Sequence, residues 1–330
     1  AATRARSAQG ASKLPRHPAA ITLVAALGAA ALLAAAPAPS APISGARVAR
    51  AARQAAQGPT PTEMTLAPAY QPGARLDYAI TIHSAIGTDA TLDTAAEVEM
   101  HILPGATPGN FTADLRFTRF KTTVQAQSPT ARSGLEQQSA ATDQAAASMK
   151  PVRFQVLGRK LDILARAPGA DYDQPVEMLE ELVRTDQLPA GAVGVGSRWT
   201  GERSQPIPTM NATVVLHLDC ALTALGESGG VPAATLTVHS EGTSQLPPNT
   251  LPGSQDLAQQ GLIAEATVSF DTDSTSIYRR RDAVLLKATS ETHNTLLLHL
   301  VGPSPLARTT NTHIDSTATV TLEHETAGPS

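Results

Sequence analysis

Aromatic residues make up only 3% of this 330-residue chain, which has one Trp and one Cys. A single cysteine excludes an intramolecular disulfide. So few rings mean that any core is built from Leu, Val, Ile and Ala. An excess of basic charge is missing too, the formal net charge being -4. That figure understates the acidity of most of the chain, because residues 1–46 hold Arg4, Arg6, Lys13 and Arg16 and no acid. Taking those four from the 25 basic residues leaves 21 against 29 acidic ones, a net of -8. Phosphate backbones need a basic face, so no nucleic-acid partner is expected.

What is present first is an export signal. A cationic segment ending at Arg16 precedes the apolar run Ala19 to Ala36, AAITLVAALGAAALLAAA, and then small residues up to Ala46. Charged end, apolar helix and small-residue cleavage region are the parts of a secretory signal peptide. The alternative is an uncleaved anchor, since the run approaches the ~20 residues that span a bilayer; its alanine content makes it a weak one. Membrane contact is therefore expected only through this segment, if it is retained. Residues 47–69, rich in Ala, Gln, Pro and Thr, read as a disordered linker. Residues 70–325 read as one β-rich domain and 326–330 as a tail. With its alanine-heavy composition, the chain is expected to be a periplasmic or secreted bacterial protein.

Beyond the linker the dominant pattern has period two. Leu76, Tyr78, Ile80 and Ile82 alternate with polar neighbours, as do Ala96, Val98, Met100 and Ile102. The alternation returns in 111–124, 152–157, 214–225, 234–246, 262–270, 284–293 and 314–322, which marks antiparallel strands with one buried and one wet face. A switch of apolar parity between Phe117 and Phe120 predicts a β-bulge. Helices are predicted over Asp173 to Asp186, where Val176, Leu179, Leu182 and Val183 share a stripe, and over a short piece of Leu251 to Gly261. The polar stretch Leu135 to Met149 is either a helix or a mobile excursion. The fold class is α+β: one large curved, half-barrel-like antiparallel sheet with a few helices packed on one face.

The motif-like segments weaken on inspection. Gly191, Gly194 and Gly196 meet neither a dinucleotide fingerprint, because Trp199 stands where the third glycine belongs, nor a P-loop, because Ser197 and Arg198 follow. Asp271-Thr-Asp273-Ser-Thr275 has the D-x-D-x-T spacing of a phosphatase nucleophile but lacks the doubly wound domain that chemistry needs. Arg279-Arg280-Arg281 reads as a solvated turn, with an anionic partner as the sharper alternative. Cys220 alternates with Leu216, Leu218 and Leu222 and reads as a small core residue. A hairpin turning near Gly229 sets His217 opposite Glu241 and Asp219 opposite His239. Two imidazoles and two carboxylates are a possible metal site, against the plainer reading of cross-strand polar pairs on the wet face. No metal and no cofactor is favoured.

Helix, Leu-Pro, then Val195-Gly196-x-x-Trp199 and long strands resemble a family of exported bacterial proteins with no assigned activity. Tyr70 to Ile82 and Ala266 to Tyr278 add matches, although Thr and Ser replace the glycine expected after Asp271. The resemblance covers Tyr70 to Glu325 and implies an architecture similar to periplasmic lipoprotein-carrier folds, a curved antiparallel sheet with helices at its mouth. Val195, Gly196 and Trp199 have a structural role in it.

The function expected is that of an exported non-catalytic protein binding an apolar or lipid-like ligand in its concave sheet. Leu216, Leu218, Leu222, Val268 and Phe270 are the ligand-facing candidates. The alternative is an envelope scaffold or interaction protein whose core is simply filled. A metal-dependent enzyme comes third, since no nucleophile, base and oxyanion donors can be named together. Oligomeric state is left open. The signal reading predicts cleavage between Ala36 and Ala46; intact-mass analysis of exported protein should find a chain lacking Arg4 to Arg16, and a mass that includes them would overturn it.

Overall fold

The computed structural model describes residues 63–165, 173–207, 212–246, 258–259, 262–302 and 308–328. They form one open antiparallel sheet of eleven strands and two helices. In chain order these are β1 (Arg75–Ile86), β2 (Ala90–Ile102), β3 (Asn110–Ala126), α1 (Pro129–Ser148), β4 (Val152–Leu157), β5 (Lys160–Ala165), α2 (Asp173–Val183), β6 (Arg198–Ile207), β7 (Ala212–Ser228), β8 (Val231–Leu246), β9 (Ile263–Arg279), β10 (Leu285–Val301) and β11 (Arg308–Thr326). Across the sheet the order is β5-β4-β3-β2-β1-β11-β10-β9-β8-β7-β6. The chain meanders from β1 out to one edge, crosses with α2 to the other, and meanders back until β11 pairs with β1.

Period-two burial explains the strands. Leu76, Tyr78, Ile80 and Ile82 are each at most 4% exposed, while most of the residues between them face solvent. The parity switch in β3 is a bulge: Glu97 pairs with Arg119 and Val98 with Phe117, leaving Thr118 unopposed. Gly229 and Gly230 close β7 onto β8 with φ of 57° and 81°, the positive pair that a two-residue primed hairpin turn demands.

The helices differ in their hold. Val176, Met178, Leu179, Leu182 and Val183 of α2 are 0–4% exposed and share one cluster with residues of β1 to β4 and β7 to β11. Strands from both halves reach that cluster because the sheet curls. Helix α1 begins six residues before the expected Leu135 and settles the choice between helix and excursion. Pro129 occupies its first turn and the Ser128 hydroxyl accepts from Ala131 N. It crosses β3, where Asp143 accepts from the Thr122 backbone N–H and from Lys121 Nζ, and it buries only Leu135, Ala145 and Ala146. The helix expected within Leu251 to Gly261 lies almost wholly outside the described residues, as do the predicted signal segment and most of the linker. The last linker residues are packed: Met64 bridges Val193 and Leu66 is 1% exposed. At the other end β11 runs to Thr326, one residue into the expected tail.

A second apolar cluster gathers at the far end of the sheet. It holds Ile207, Val214, Leu216, Leu246, Val268, Phe270, Leu296 and Ile314, all from strands. The β7–β8 ladder runs from the turn to His217↔Glu241 and stops. Past that point residues 212–216 pair with β6 alone and 242–246 with β9 alone. The start of β7 there lies over the inner face of β8, and a Cβ on Gly242 would meet Val215 O at 2.5 Å and Leu216 Cδ2 at 2.8 Å. Glycine is required because backbone, which cannot swing aside, fills the space. Gly242→Val is expected to destabilise the domain by about 1–3 kcal/mol, the usual overpacking range; an unchanged denaturant midpoint would show that this crossing does not hold the sheet.

Candidate functional site

The inner face of the curled sheet is the candidate site, and ladder register sets its composition. Ser84, Ser316, Thr292, Thr272 and Ser240 stand side by side across β1, β11, β10, β9 and β8. All five are buried, at 0–4% exposure. Ser274, Ser276 and Ser290, on the inward parity of β9 and β10, widen this row into a belt of hydroxyls. The belt satisfies much of itself: Ser316 Oγ donates to Ser84 Oγ at 2.9 Å, Thr272 Oγ1 to Thr292 Oγ1 at 3.2 Å and Ser274 Oγ to Val238 O at 2.8 Å. It separates the α2 cluster from the strand-only one.

All five ligand-facing candidates point inward and are buried, at 0–6% exposure, but they divide among neighbourhoods. Leu222 joins the α2 cluster; Leu216, Val268 and Phe270 lie in the strand-only cluster; Leu218 packs with Cys220 and Val238 beside Trp199. The Cys220 thiol is 2% exposed, and burial pushes its pKa up to about 11, so it is a poor nucleophile at neutral pH. Two clefts among the described residues, of about 640 and 390 Å³, are lined by none of the five.

The Val195, Gly196 and Trp199 motif sets up the β6 edge. Val195 is exposed; Gly196, at φ 89°, donates its N–H to Leu222 O at 2.7 Å; the Trp199 indole donates to Gln187 O at 3.1 Å. Nearby is a group that sequence reasoning missed. Arg203 faces inward from β6 with a side chain 5% exposed, and its guanidinium donates to both Asp186 oxygens at 2.7 and 2.8 Å and to Glu181 at 3.2 Å. Burial works to raise the Asp186 pKa, but the charge and hydrogen bonds of Arg203 outweigh it and hold the carboxyl below its usual range. The only trace in the sequence was an arginine at an inward parity position.

The outer face carries the histidines. His217 pairs with Glu241 and Asp219 with His239, as the hairpin register predicted. These pairs are part of longer rows. Glu202, His217, Glu241, Asp271, His293 and Asp315 follow one another across β6 to β11. The side chains are well exposed, with His239 Nδ1 3.2 Å from Asp273 and His293 Nδ1 2.7 Å from Asp315. Among the described residues no group of three or more His, Cys, Asp and Glu is placed to hold a metal ion. Asp271 and Asp273, the acids of the D-x-D-x-T segment, belong to these rows on β9. The reading of Arg279 to Arg281 as a solvated cluster needs correction at its first member. Arg279 is 8% exposed and clamped by Glu325 and Asp282; a strand end draws it into the fold while Arg281 stays outside.

His293 makes the outer rows testable. Its hydrogen bond to Asp315 raises its pKa above 6.5 against partial burial, and the Asp315, Glu291 and Asp271 charges add to the rise. A raised folded-state pKa gives stability that is fully present below the unfolded value and lost as pH rises through the folded one. His293→Gln should therefore lower the melting temperature near pH ~5 and leave it unchanged near pH ~8.5, either side of an ordinary imidazole pKa. Equal losses at both would mean that the pair is not acting through charge.

No family model matches the chain, and no curated protein matches it. Among solved structures it is similar to one described as "Lipid-protein interactions in lipovitellin", with a TM-score of 0.40 and 15% identity over 79% of this chain. The match spans 26% of that chain.

Proposed function

We propose that this chain is an exported, non-catalytic carrier that holds an apolar, lipid-like ligand against the inner face of its sheet, in the periplasm or outside a bacterial cell. The observation that carries this reading is the strand-only cluster. Helix α2 fills one end of the curl, whereas among the described residues the apolar cluster at the other end, including Leu216, Val268 and Phe270, comes from strands alone. An apolar wall with a few convergent polar groups is how small-molecule sites are commonly built. The competing reading is an envelope scaffold, favoured by the low exposure of all five inner residues. A non-catalytic role fits a buried thiol and histidines spread along an exposed face beside carboxylates. Export rests on the N-terminal segment.

Native mass spectrometry of gently purified protein, followed by lipid extraction, separates the two readings. The carrier should retain an adduct of acyl-chain mass, and enlarging Val268 to Trp should remove it while the far-ultraviolet β-sheet spectrum persists. A clean apo mass, together with no thermal shift from any hydrocarbon, fatty acid or phospholipid, would sink the carrier in favour of the scaffold.

A further inference from the structure

Asn294 stands on the inner side of β10, 1% exposed, next to the hydroxyl belt. Its cross-strand neighbours are Phe270 and Ile314, and one strand beyond Phe270 is Gly242. Neither Oδ1 nor Nδ2 has a hydrogen-bond partner among the described residues, and less than 1 Å² of each atom is accessible. Leaving both ends of a buried amide unpaired is costly, and proteins seldom do so without a reason. The same cross-strand level holds the seam where β7 and β8 stop pairing and the start of β7 lies over Gly242. A loose edge, an apolar wall and an orphaned donor–acceptor pair thus coincide.

We propose that Asn294 is the seat of the ligand's polar head group and that the ligand is an uncharged acylglycerol, admitted by parting of the β7–β8 seam. This rests on the carrier reading and goes beyond it in naming the class of ligand. The acyl chains lie along Val268, Phe270, Leu296 and Ile314. An ester carbonyl accepts from Nδ2 and a free glycerol hydroxyl donates to Oδ1, which uses both halves of the amide. The belt hydroxyls of Thr292 and Thr272 flank the head group. An anionic head would fail here. Arg203 and Arg279 are the only buried charged residues among the described ones, and each is already held by two carboxylates. A phosphate or fatty-acid carboxylate would be desolvated without a free counter-ion.

The test compares delipidated wild-type chain with Asn294→Leu, using dioleoylglycerol, squalene, oleate and dioleoylphosphatidylglycerol as probes in native mass spectrometry and thermal-shift titrations. Wild type should bind dioleoylglycerol and squalene and take either anion at least tenfold more weakly. Asn294→Leu should melt higher than wild type without ligand, because the orphaned amide is gone. It should keep squalene and lose dioleoylglycerol by about tenfold or more, the worth of the two hydrogen bonds lost with the amide. Asn294→Ala, which removes the amide without adding bulk, carries the same binding expectation and covers a failure of the leucine variant to fold. Dioleoylglycerol binding unchanged in both variants would overturn the seat at Asn294, and anions binding as tightly as dioleoylglycerol would overturn the uncharged class. Wild type that binds none of the four, squalene included, would instead bring down the carrier reading and this proposal with it.

Discussion

The curl of the sheet depends on one buried cation. Arg203 points inward from the edge strand β6, where its charge is tolerable only because Asp186 takes it in a two-pronged grip and Glu181 adds a further oxygen. Losing one partner of such a pair costs about 3–5 kcal/mol, since it strands the other charge in the interior. Asp186 lies in the short segment after α2, and that segment fastens the opposite edge as well. Thr185 donates to Gly158 O, Asp186 O accepts from Arg159, and Gln187 donates to the Tyr278 hydroxyl and accepts from the Trp199 indole. Three consecutive residues therefore tie the β4–β5 turn, β6 and β9 together. The crossing helix is placed by this knot, and the first apolar cluster forms around it.

Given that curl, the two ends of the inner face become different environments. At one end α2 supplies apolar side chains from the middle of the barrel-like space, and burial of each Leu or Val there is worth roughly 1.5–3 kcal/mol. At the other end, among the described residues, the roll of β6 and β7 covers the aliphatics. The hydroxyl belt lies between. Its members pair across neighbouring strands, so it costs less than its burial suggests, and it binds register: a one-residue slip would carry every serine to the outer face and bring the carboxylate rows inside. Polar residues at inward positions thus specify the pairing of long strands whose apolar residues alone are interchangeable.

Much of this was legible in the sequence, and what was legible is local. Alternation marked the strands, the Phe117 to Phe120 parity switch marked the bulge, and a turn near Gly229 gave the His217–Glu241 register, because each depends on residues close in the chain. Pairing of β1 with β11 joins positions about 240 residues apart, and no period records it. Arg203 went unread, and Arg279 was read as solvated, because Glu181, Asp186 and Glu325 come from elsewhere in the chain. Glu63 to Ala69 looked like linker because its few apolar residues follow no strand or helix period, and only the fold supplies the pocket for Leu66. The inner-face candidates were read correctly as inward, but parity does not say whether a ligand, a helix or the sheet's own edge lies opposite. Asn294 is invisible at sequence level for the same reason: asparagine in a strand breaks the pattern, and only the absence of a partner makes it informative.

An open sheet of this size leaves two edges, and exposed edges invite pairing with other chains. Here they are handled unequally. On one side β5 is only six residues long and carries Lys160 and Asp162 as an ion pair, so it offers little to extend. On the other side β6 spans ten residues, and what restrains it is the Arg203 clamp together with its roll over the inner face. The strand that most needs restraint is thus the partner of β7, which forms the seam with β8. Full closure of the barrel would have removed both edges and left no way in. A β6–β7 edge that is folded inward, clamped by Arg203 opposite Leu216 and unpaired with β8 from there to Ala212, protects the sheet while keeping that end able to move. Apart from Glu202 on the edge strand β6, the carboxylate and imidazole rows on the outer face fall on strands already paired on both sides, where they repel a stacking sheet.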